Sequence, residues 1–513
     1  MLSALIWIPL VAALVIALLP ESAAPRSRPI AGLAAGLTLA LACILLAQFD
    51  LGQAGFQFQE QLPWLQSLGL SYALGLDGLA LPLVMLTTLL IPLVISATDR
   101  AIERPRFYYA LVMVIAGGVT GVFLARDLLL FFLFFEVELI PLYLLIAIWG
   151  GQRRAYAATK FLIYTAVSGV ILLASILGLV GLSGAASFAM DPALAAGLPL
   201  AQQTVLIVGF AIAFGIKFPM VPLHTWLPDA HTEASTPVSM LLAGILLKLG
   251  TYGLLRLGLG LLPDGWDVIA PGLAVVAVIS TLYGSLNAIV QQDMKRLVAY
   301  SSIGHMGYII LGMAAATEVS IVGSVAQMVS HGIISALLFL LVGLIYDRTG
   351  TRDLTVLRGL LNPERGLPLV GSLMILAAMA SSGLPGLMGF VAEFCIFRGS
   401  FITFPIPTLL CIVGTGLTSV YFLLLVNRAF FGRLPEQFAH LPPVAWREQL
   451  PAFVLTALIL LLGIQPQWLV GWIQASAHTL VALQIHSQVP SQIQPQIQPQ
   501  IQPQIQPQIW AGS

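Results

Sequence analysis

Charged side chains are scarce in this chain. Only 9% of its 513 residues are charged, whereas 58% are hydrophobic, and the mean hydropathy is +0.96. A chain with so few polar residues cannot cover an apolar core with a solvated surface, so a soluble protein is excluded. The balanced formal charge gives no basis for binding nucleic acid or an acidic substrate. The sequence therefore predicts an all-α polytopic membrane protein.

Cysteine is equally scarce, and its spacing is uninformative. Cys43, Cys395 and Cys411 lie far apart or without the spacing of metal ligands, so we expect neither a disulfide framework nor a zinc or iron-sulfur site. No phosphate-binding loop or nucleophile motif is present either. We therefore expect this chain to bind no cofactor or metal and to have no catalytic centre of its own.

Long apolar runs follow one another along the sequence. A bilayer core about 30 Å thick needs roughly 20 apolar residues per helix. We predict fourteen spans, near 2–19, 30–49, 73–97, 107–125, 127–149, 158–182, 203–217, 236–257, 268–290, 296–314, 321–346, 368–399, 403–430 and 451–472. Arginine and lysine concentrate in alternate connections, beginning with the one after the first span. The positive-inside rule then places both termini on the non-cytoplasmic side.

The spans form one predicted membrane domain, residues 1–475, followed by a low-complexity tail, 476–513, that carries the Ile-Gln-Pro-Gln repeat. Spans seven and twelve are interrupted, at "KFPMVPLHTWLP" and "SSGLPGLMGF". Such breaks in register indicate internal repeats around a transport route. We expect two inverted five-helix repeats, spans four to eight (107–257) and nine to thirteen (268–430).

Lysine is far rarer than arginine, and two of the four lysines lie in apolar runs. Lys217 precedes the first break, and Lys248 lies about twelve residues into its span, which at about 1.5 Å per residue is close to the bilayer centre. A buried lysine can give up its proton, whereas an arginine in practice cannot. Both lysines are therefore candidate proton carriers.

Carboxylates and histidines complete the set of ionisable residues inside the spans. An ionisable residue within the membrane indicates function by default, and histidine ordinarily titrates near about pH 6.5. Glu136 and Glu138 should point about 200° apart on an ideal helix, so each needs its own partner. The further candidates are Glu393, His224, His231, His305 and His331.

Several long motifs resemble one family. "DLLLFFLFFEVELIPLYLLIAIWGG", "ATKFLIYT", "KFPMVPLHTWLPDAHTEASTPVSMLLAGILLKLGTYGLLR" and "QQDMKRLVAYSSIGHMGY" are similar to subunit 4 of the NDH-1/complex I family, whose antiporter-like subunits are related to Mrp-type antiporters. The paired glutamates resemble the cyanobacterial and plastid branch. Phe135 stands where the electron-flow form has tryptophan, which favours the variant of the complex tied to CO2 uptake.

The resemblance implies a proton channel in a thylakoid complex that passes electrons from NAD(P)H or ferredoxin to plastoquinone, with the iron-sulfur clusters and the quinone in partner subunits. The expected neighbours are membrane subunits of the subunit-5 and subunit-2 types, lipids and a CO2-hydration module. Carried over by position, Glu136 is the fifth-span glutamate and pairs with Lys217. Lys248, His305 and His331 relay the proton, and Glu393 releases it.

Two other interpretations remain open at the level of sequence. A cation/proton antiporter of the Mrp type has similar acidic spans. A structural membrane subunit with an inactive channel would retain the same residues for assembly.

Overall fold

The structure is a computed structural model of the chain, and it describes residues 1–65, 67 and 69–488. Most of these residues lie in helices, as the apolar runs predict. The helices are α1 Leu2–Leu18, α2 Ser27–Gln48, α3 Leu81–Ala97, α4 Pro105–Leu124, α5 Leu128–Val137, α6 Leu139–Trp149, α7 Arg154–Ser183, α8 Leu200–Lys217, α9 Trp226–Glu233, α10 Thr236–Leu241, α11 Leu247–Gly253, α12 Pro263–Ile289, α13 Met294–Ala315, α14 Glu318–Thr349, α15 Pro368–Ser381, α16 Met388–Thr403, α17 Pro405–Phe430, α18 Trp446–Ile464 and α19 Gln467–Gln488.

The described helices confirm an integral membrane protein. Eleven helical stretches within the described residues are long and apolar enough to cross a bilayer. Three shorter apolar helices, α1, α3 and α15, lie where we expect the first, third and twelfth spans. The count of fourteen spans and their division into two inverted repeats stay predictions.

The centre of the bundle is built from helices that are buried on every side. The apolar windows of α14 and of the stretch Thr236–Leu259 are entirely buried, whereas α2, α7, α12, α17 and α18 expose apolar side chains. Glycine permits the closest contacts: on α12, a Cβ at Gly284 would overlap the backbone N of Gly304 on α13. Peripheral apolar faces and a tightly packed centre are what a helical bundle in lipid requires.

Both predicted helix breaks are present. The seventh span ends its first helix, α8, at Lys217, and α9 begins at Trp226. The twelfth span divides between Ser381, the last residue of α15, and Met388, the first of α16. Each break leaves terminal backbone carbonyls without a partner in their own helix, so polar side chains can bind there.

The fifth span is also interrupted, which the sequence analysis did not anticipate. Glu138 forms a turn between α5 and α6. Its position follows from Pro141, because proline has no N–H to donate to the carbonyl of Val137 four residues earlier. The helix resumes with the bond from the Leu142 N–H to the Glu138 carbonyl, 3.1 Å. A carboxylate therefore lies at the point where this span can bend.

Two elements differ from the predicted spans: residues 73–76, expected in the third span, lie in a strand, and residues 467–472, expected in the fourteenth, begin a separate helix. The polar connection after α2 forms an antiparallel hairpin of β1 Gln57–Leu65 and β2 Leu70–Leu76. Helix α19 follows α18 and is held beside the hairpin, because Ser476 accepts the Gly78 N–H (2.9 Å) and donates to the Ala54 carbonyl (3.2 Å).

The tail begins later than we expected. Residues 476–488, which we assigned to it, continue helix α19 instead. The Ile-Gln-Pro-Gln repeats fall in residues 489–513, outside the described part of the chain.

Candidate functional site

The first part of the site is an ion pair between two helix breaks. Lys217, at the end of α8, donates from Nζ to Oε1 of Glu138, and their side chains are only 4% and 0% exposed. The Lys217 ammonium also lies 4.7 Å above the centre of the Phe135 ring. A buried charge pair of this kind is stable only while both partners are present.

Our expectation that Lys217 pairs with Glu136 is corrected by this geometry, because the direct partner is Glu138. Glu136 lies on the other side of the helix, where a Cβ at Gly169 of α7 would overlap its carboxylate. The two glutamates thus point apart, as predicted, and the turn at Glu138 decides which of them meets the lysine.

A buried polar side chain at the start of α5 positions this segment. Asp127 caps α5: its Oδ1 accepts the N–H groups of Leu129 and Leu130, both at 3.0 Å. Its second oxygen accepts the Ser71 N–H of β2 at 3.1 Å. The cap fixes where α5 begins, and hence where Glu138 falls ten residues after Leu128.

The second part of the site begins at Lys248, which is fully buried in α11. Two π-helical segments, Leu242–Leu246 and Leu254–Leu259, flank α11 and widen the helix on either side of the lysine. Nζ of Lys248 donates to the Ala243 carbonyl within the first segment and lies 2.9 Å from Nδ1 of His331 on α14. The central lysine is therefore joined directly to a histidine.

From His331 the polar contacts continue to α13. Nε2 of His331 lies 3.1 Å from the Ser335 hydroxyl, and its ring centre lies 5.6 Å from that of His305. Nε2 of His305 lies 3.7 Å from Oε1 of Glu393 on α16. The structure thus brings together Lys248, two of the predicted histidines and the predicted twelfth-span carboxylate.

Two hydroxyl groups that the sequence analysis did not single out lie next to the Glu393 carboxylate. The Thr415 hydroxyl lies 3.3 Å from Oε2 of Glu393 and 3.3 Å from the Tyr308 hydroxyl. Glu393 is 3% exposed. Neither hydroxyl carries a sequence signal, because threonine and tyrosine are ordinary in apolar helices.

The two parts pack against each other at Gly250 of α11. A Cβ added there would lie 2.9 Å from the Phe214 carbonyl oxygen and 3.0 Å from the Cβ of Lys217. Glu138, Lys217, Lys248, His331, His305 and Glu393 are called the polar row below.

The remaining two predicted histidines lie beside the polar row. His224, in the first break, packs its ring 4.7 Å from that of Tyr283. His231 stacks on Phe339 at 4.7 Å, and neither of its ring nitrogens has a hydrogen-bond partner in the described residues. Lys295 was not among the predicted site residues. It is buried and donates to the Ala234 carbonyl. These side chains give the polar row ionisable neighbours on the side of α9.

The polar row consists of side chains that can bind and release protons: carboxylates, amines and imidazoles. Direct contacts join Glu138 to Lys217, and a second series runs from Lys248 to Glu393. Among the described contacts, none is a polar contact between Lys217 and Lys248. Within the described residues, no group of three histidines, cysteines or acidic residues could hold a metal ion.

Comparison with known proteins places this arrangement in context. Residues 125–418 match the family model described as NADH:quinone oxidoreductase/Mrp antiporter, transmembrane. A protein of Microcystis aeruginosa named NAD(P)H-quinone oxidoreductase chain 4 2 is 44% identical over 84% of this chain and 79% of its own length.

Solved structures are similar over most of the chain. A chain of respiratory complex I from Thermus thermophilus superposes with a TM-score of 0.86 at 30% identity, covering 94% of this chain and all of that one. A chain of the Mrp complex from Dietzia covers 94% of this chain and 98% of its own, with a TM-score of 0.81 at 24% identity. The second likeness shows the shared fold alone.

Proposed function

The chain belongs to the membrane-subunit family of NADH:quinone oxidoreductases and Mrp antiporters, as a chain 4 type subunit of NAD(P)H-quinone oxidoreductase, and from this we propose that protons cross it along the polar row. It is a proton-translocating subunit of the NDH-1 complex. The complex catalyses oxidoreduction, and this chain couples that reaction to proton transport.

The continuity of the second part of the row carries the proposal. Lys248, His331, His305 and Glu393 come from four different helices. The successive separations are 2.9 Å from Nζ to Nδ1, 5.6 Å between the two ring centres, and 3.7 Å from Nε2 to Oε1, which is an ion-pair distance. Burying several ionisable groups is costly unless they are paired, so a row that served packing alone would be replaced by apolar residues.

The ion pair at the first break acts as the switch. While Glu138 contacts Lys217, the ammonium keeps its proton, because the buried carboxylate stabilises the charged form. Separation of the pair removes that stabilisation and lets Lys217 pass a proton toward Lys248. Each change of about 1.36 kcal/mol in the pairing energy changes the proton equilibrium tenfold. Glu393 then releases the proton at the far end.

The test compares proton transport with electron transfer in one preparation. In vesicles that contain the intact complex, Lys217→Ala and Lys248→Ala should each lower the protons moved per electron pair, while electron transfer continues. Lys160→Ala is the matched control, because Lys160 pairs with Asp229 at 2.8 Å outside the row. Native transport ratios in both row variants would identify a structural subunit with an inactive channel.

Other subunits of the complex are this chain's partners, and we propose their types. A subunit-5 type and a subunit-2 type membrane neighbour, lipids, and plastoquinone and iron-sulfur clusters held in partner subunits fit the resemblance of the motifs. We propose a thylakoid location with both termini in the lumen. Support for the orientation comes from the alternating arginine-rich connections. Protease protection of tags at each terminus in sealed vesicles tests it.

We propose further that the complex is the form associated with CO2 uptake. The support is Phe135, whose ring lies beneath the Lys217 ammonium at the position where the electron-flow form has tryptophan. Tryptophan is the stronger cation–π partner, so the two forms would hold the lysine differently. Mass spectrometry of the native complex tests this proposal: a CO2-hydration module among the co-purified subunits supports it, and its consistent absence contradicts it.

A further inference from the structure

The ring of His305 is placed between two backbone carbonyl groups. Nδ1 lies 2.8 Å from the Ser301 oxygen, and Nε2 lies 3.1 Å from the Ser381 oxygen. A carbonyl oxygen only accepts hydrogen bonds, so each ring nitrogen needs its own proton to bond here. A neutral ring has one N–H. With that proton on Nδ1, Nε2 would point a lone pair at the Ser381 carbonyl, and its one donor in the described residues would be the Ser381 hydroxyl, at the longer distance of 3.5 Å. We propose that His305 is the proton store of the polar row and holds its resting proton as an imidazolium.

The second carbonyl is available because of the helix break. Ser381 is the last residue of α15, so no backbone N–H follows one turn later in that helix to occupy its oxygen. The other oxygen, of Ser301, belongs to the preceding turn of the same helix as His305 and has a second lone pair to share. The break in the twelfth span therefore supplies a fixed acceptor to the histidine.

His331, the neighbouring ring, has the opposite surroundings. Its Nδ1 faces Lys248 Nζ, which donates as an ammonium group, and its Nε2 faces the Ser335 hydroxyl, which can accept. A neutral ring with its proton on Nε2 satisfies both contacts. Two histidines whose ring centres are 5.6 Å apart thus have different resting charges.

The ionisable groups around His305 come from each packed element. Glu393 on α16 supplies the counter-charge at 3.7 Å, and its Oε1 has no hydrogen-bond partner in the described residues. The rings of His331 on α14 and Tyr308 on α13 lie 5.6 and 5.5 Å away between centres. Lys248 on α11, which contacts His331, carries a like charge that opposes the imidazolium, so Glu393 must outweigh it. The imidazolium and Glu393 thus repeat, in the second half, the pairing of Lys217 with Glu138.

Release and reloading follow from this geometry. The proton leaves Nε2 of His305 and forms an O–H bond on Oε1 of Glu393, which leaves a neutral ring and a neutral carboxylic acid. The Nε2 lone pair then faces the Ser381 oxygen, and this repulsion favours taking up the next proton from the Lys248 side. The role rests on the proposed route of protons through the row.

Solid-state NMR of the intact complex in membranes tests the store without measuring transport. With ¹⁵N-histidine and ¹³C-carbonyl serine, His305 is identified as the ring whose two nitrogens both lie near serine carbonyls, so no substitution is needed. We expect two protonated nitrogens at pH 7 to 8. One unprotonated nitrogen on this ring would overturn the proposal, even in a complex that pumps normally.

Two variants sharpen the result. The histidine signals that disappear in His331→Gln belong to His331, and they should come from one protonated and one unprotonated nitrogen. Two protonated nitrogens in that set of signals would contradict the contrast between the two rings. Glu393→Gln removes the counter-charge, so the His305 ring should shift at least partly to the neutral form at pH 8. If the His305 ring stayed doubly protonated in that variant, Glu393 would not be the counter-charge that stabilises the imidazolium, which would contradict this part of the proposal. A complex that fails to pump yet shows these spectra would contradict the proposed function and leave the store intact.

Discussion

Replacement of Glu138 by glutamine is the sharpest test of the switch. The change keeps the size of the side chain and removes the direct counter-charge of Lys217, whose side chain is 4% exposed. Two unit charges about 4 Å apart attract by about 4 kcal/mol at an effective dielectric constant of about 20. At about 1.36 kcal/mol per tenfold change, the loss alters the proton equilibrium of Lys217 by about three powers of ten.

Glu136 provides the matched control, because the same substitution two residues earlier removes a charge that has no direct contact with Lys217. In vesicles with the assembled complex, fluorescence quenching of a pH-sensitive dye and the rate of electron transfer are measured together. We expect Glu138→Gln to lose most of the transport per electron pair and Glu136→Gln to keep more than half.

Assembly must be checked on native gels, since removing one partner of a buried pair costs about 3–5 kcal/mol. The opposite order, with Glu136→Gln inactive and Glu138→Gln normal, would refute the assignment of Glu138 as the direct partner.

Four further substitutions test other parts of the structure. Lys248→Arg should assemble but stop transport, because arginine keeps its charge and cannot release a proton; transport at the native ratio would exclude Lys248 as a carrier. Asp77→Asn and Arg256→Met each break a buried ion pair with contacts of 2.6 and 2.7 Å. Each should destabilise the subunit by about 3–5 kcal/mol in thermal unfolding, and the double variant by less than the sum of the two. Gly383→Ala introduces a Cβ at φ +70°, 2.9 Å from the Glu393 carboxylate. We expect a loss of about 1 kcal/mol or more in stability and slower transport, whereas a neutral effect would show that this turn is free to move.

The sequence was sufficient for the two predicted breaks and for all six members of the polar row as candidates. Lys217 and Lys248 stand out because a charge in an apolar run demands a partner, and Pro385 with its glycines marks the second break. The sequence could not show which of the two glutamates pairs with Lys217. An ideal helix places Glu136 and Glu138 about 200° apart, but it cannot show which one faces α8 when Pro141 interrupts that helix.

Contacts between distant helices were also beyond the sequence. Lys248 and His331 are 83 positions apart, and only the packing of α10 and of the π-helical segment Leu242–Leu246 on α14 brings them to 2.9 Å. The hairpin of β1 and β2 was missed because β1 lies in a polar connection and the apolar end of β2 was assigned to the third span. Helix α19 was missed because its glutamines and histidines lower its hydropathy below that of a span.

The turn at Glu138 links the shape of the fifth span to the charge at Lys217. Pro141 has no N–H to donate to the Val137 carbonyl, so the span lacks a backbone hydrogen bond where α5 meets α6. The carboxylate that holds the Lys217 ammonium lies at this same point. We expect any displacement of α6 relative to α5 to change the separation of Glu138 and Lys217, so a neighbouring subunit would need no charge of its own to alter the ion pair.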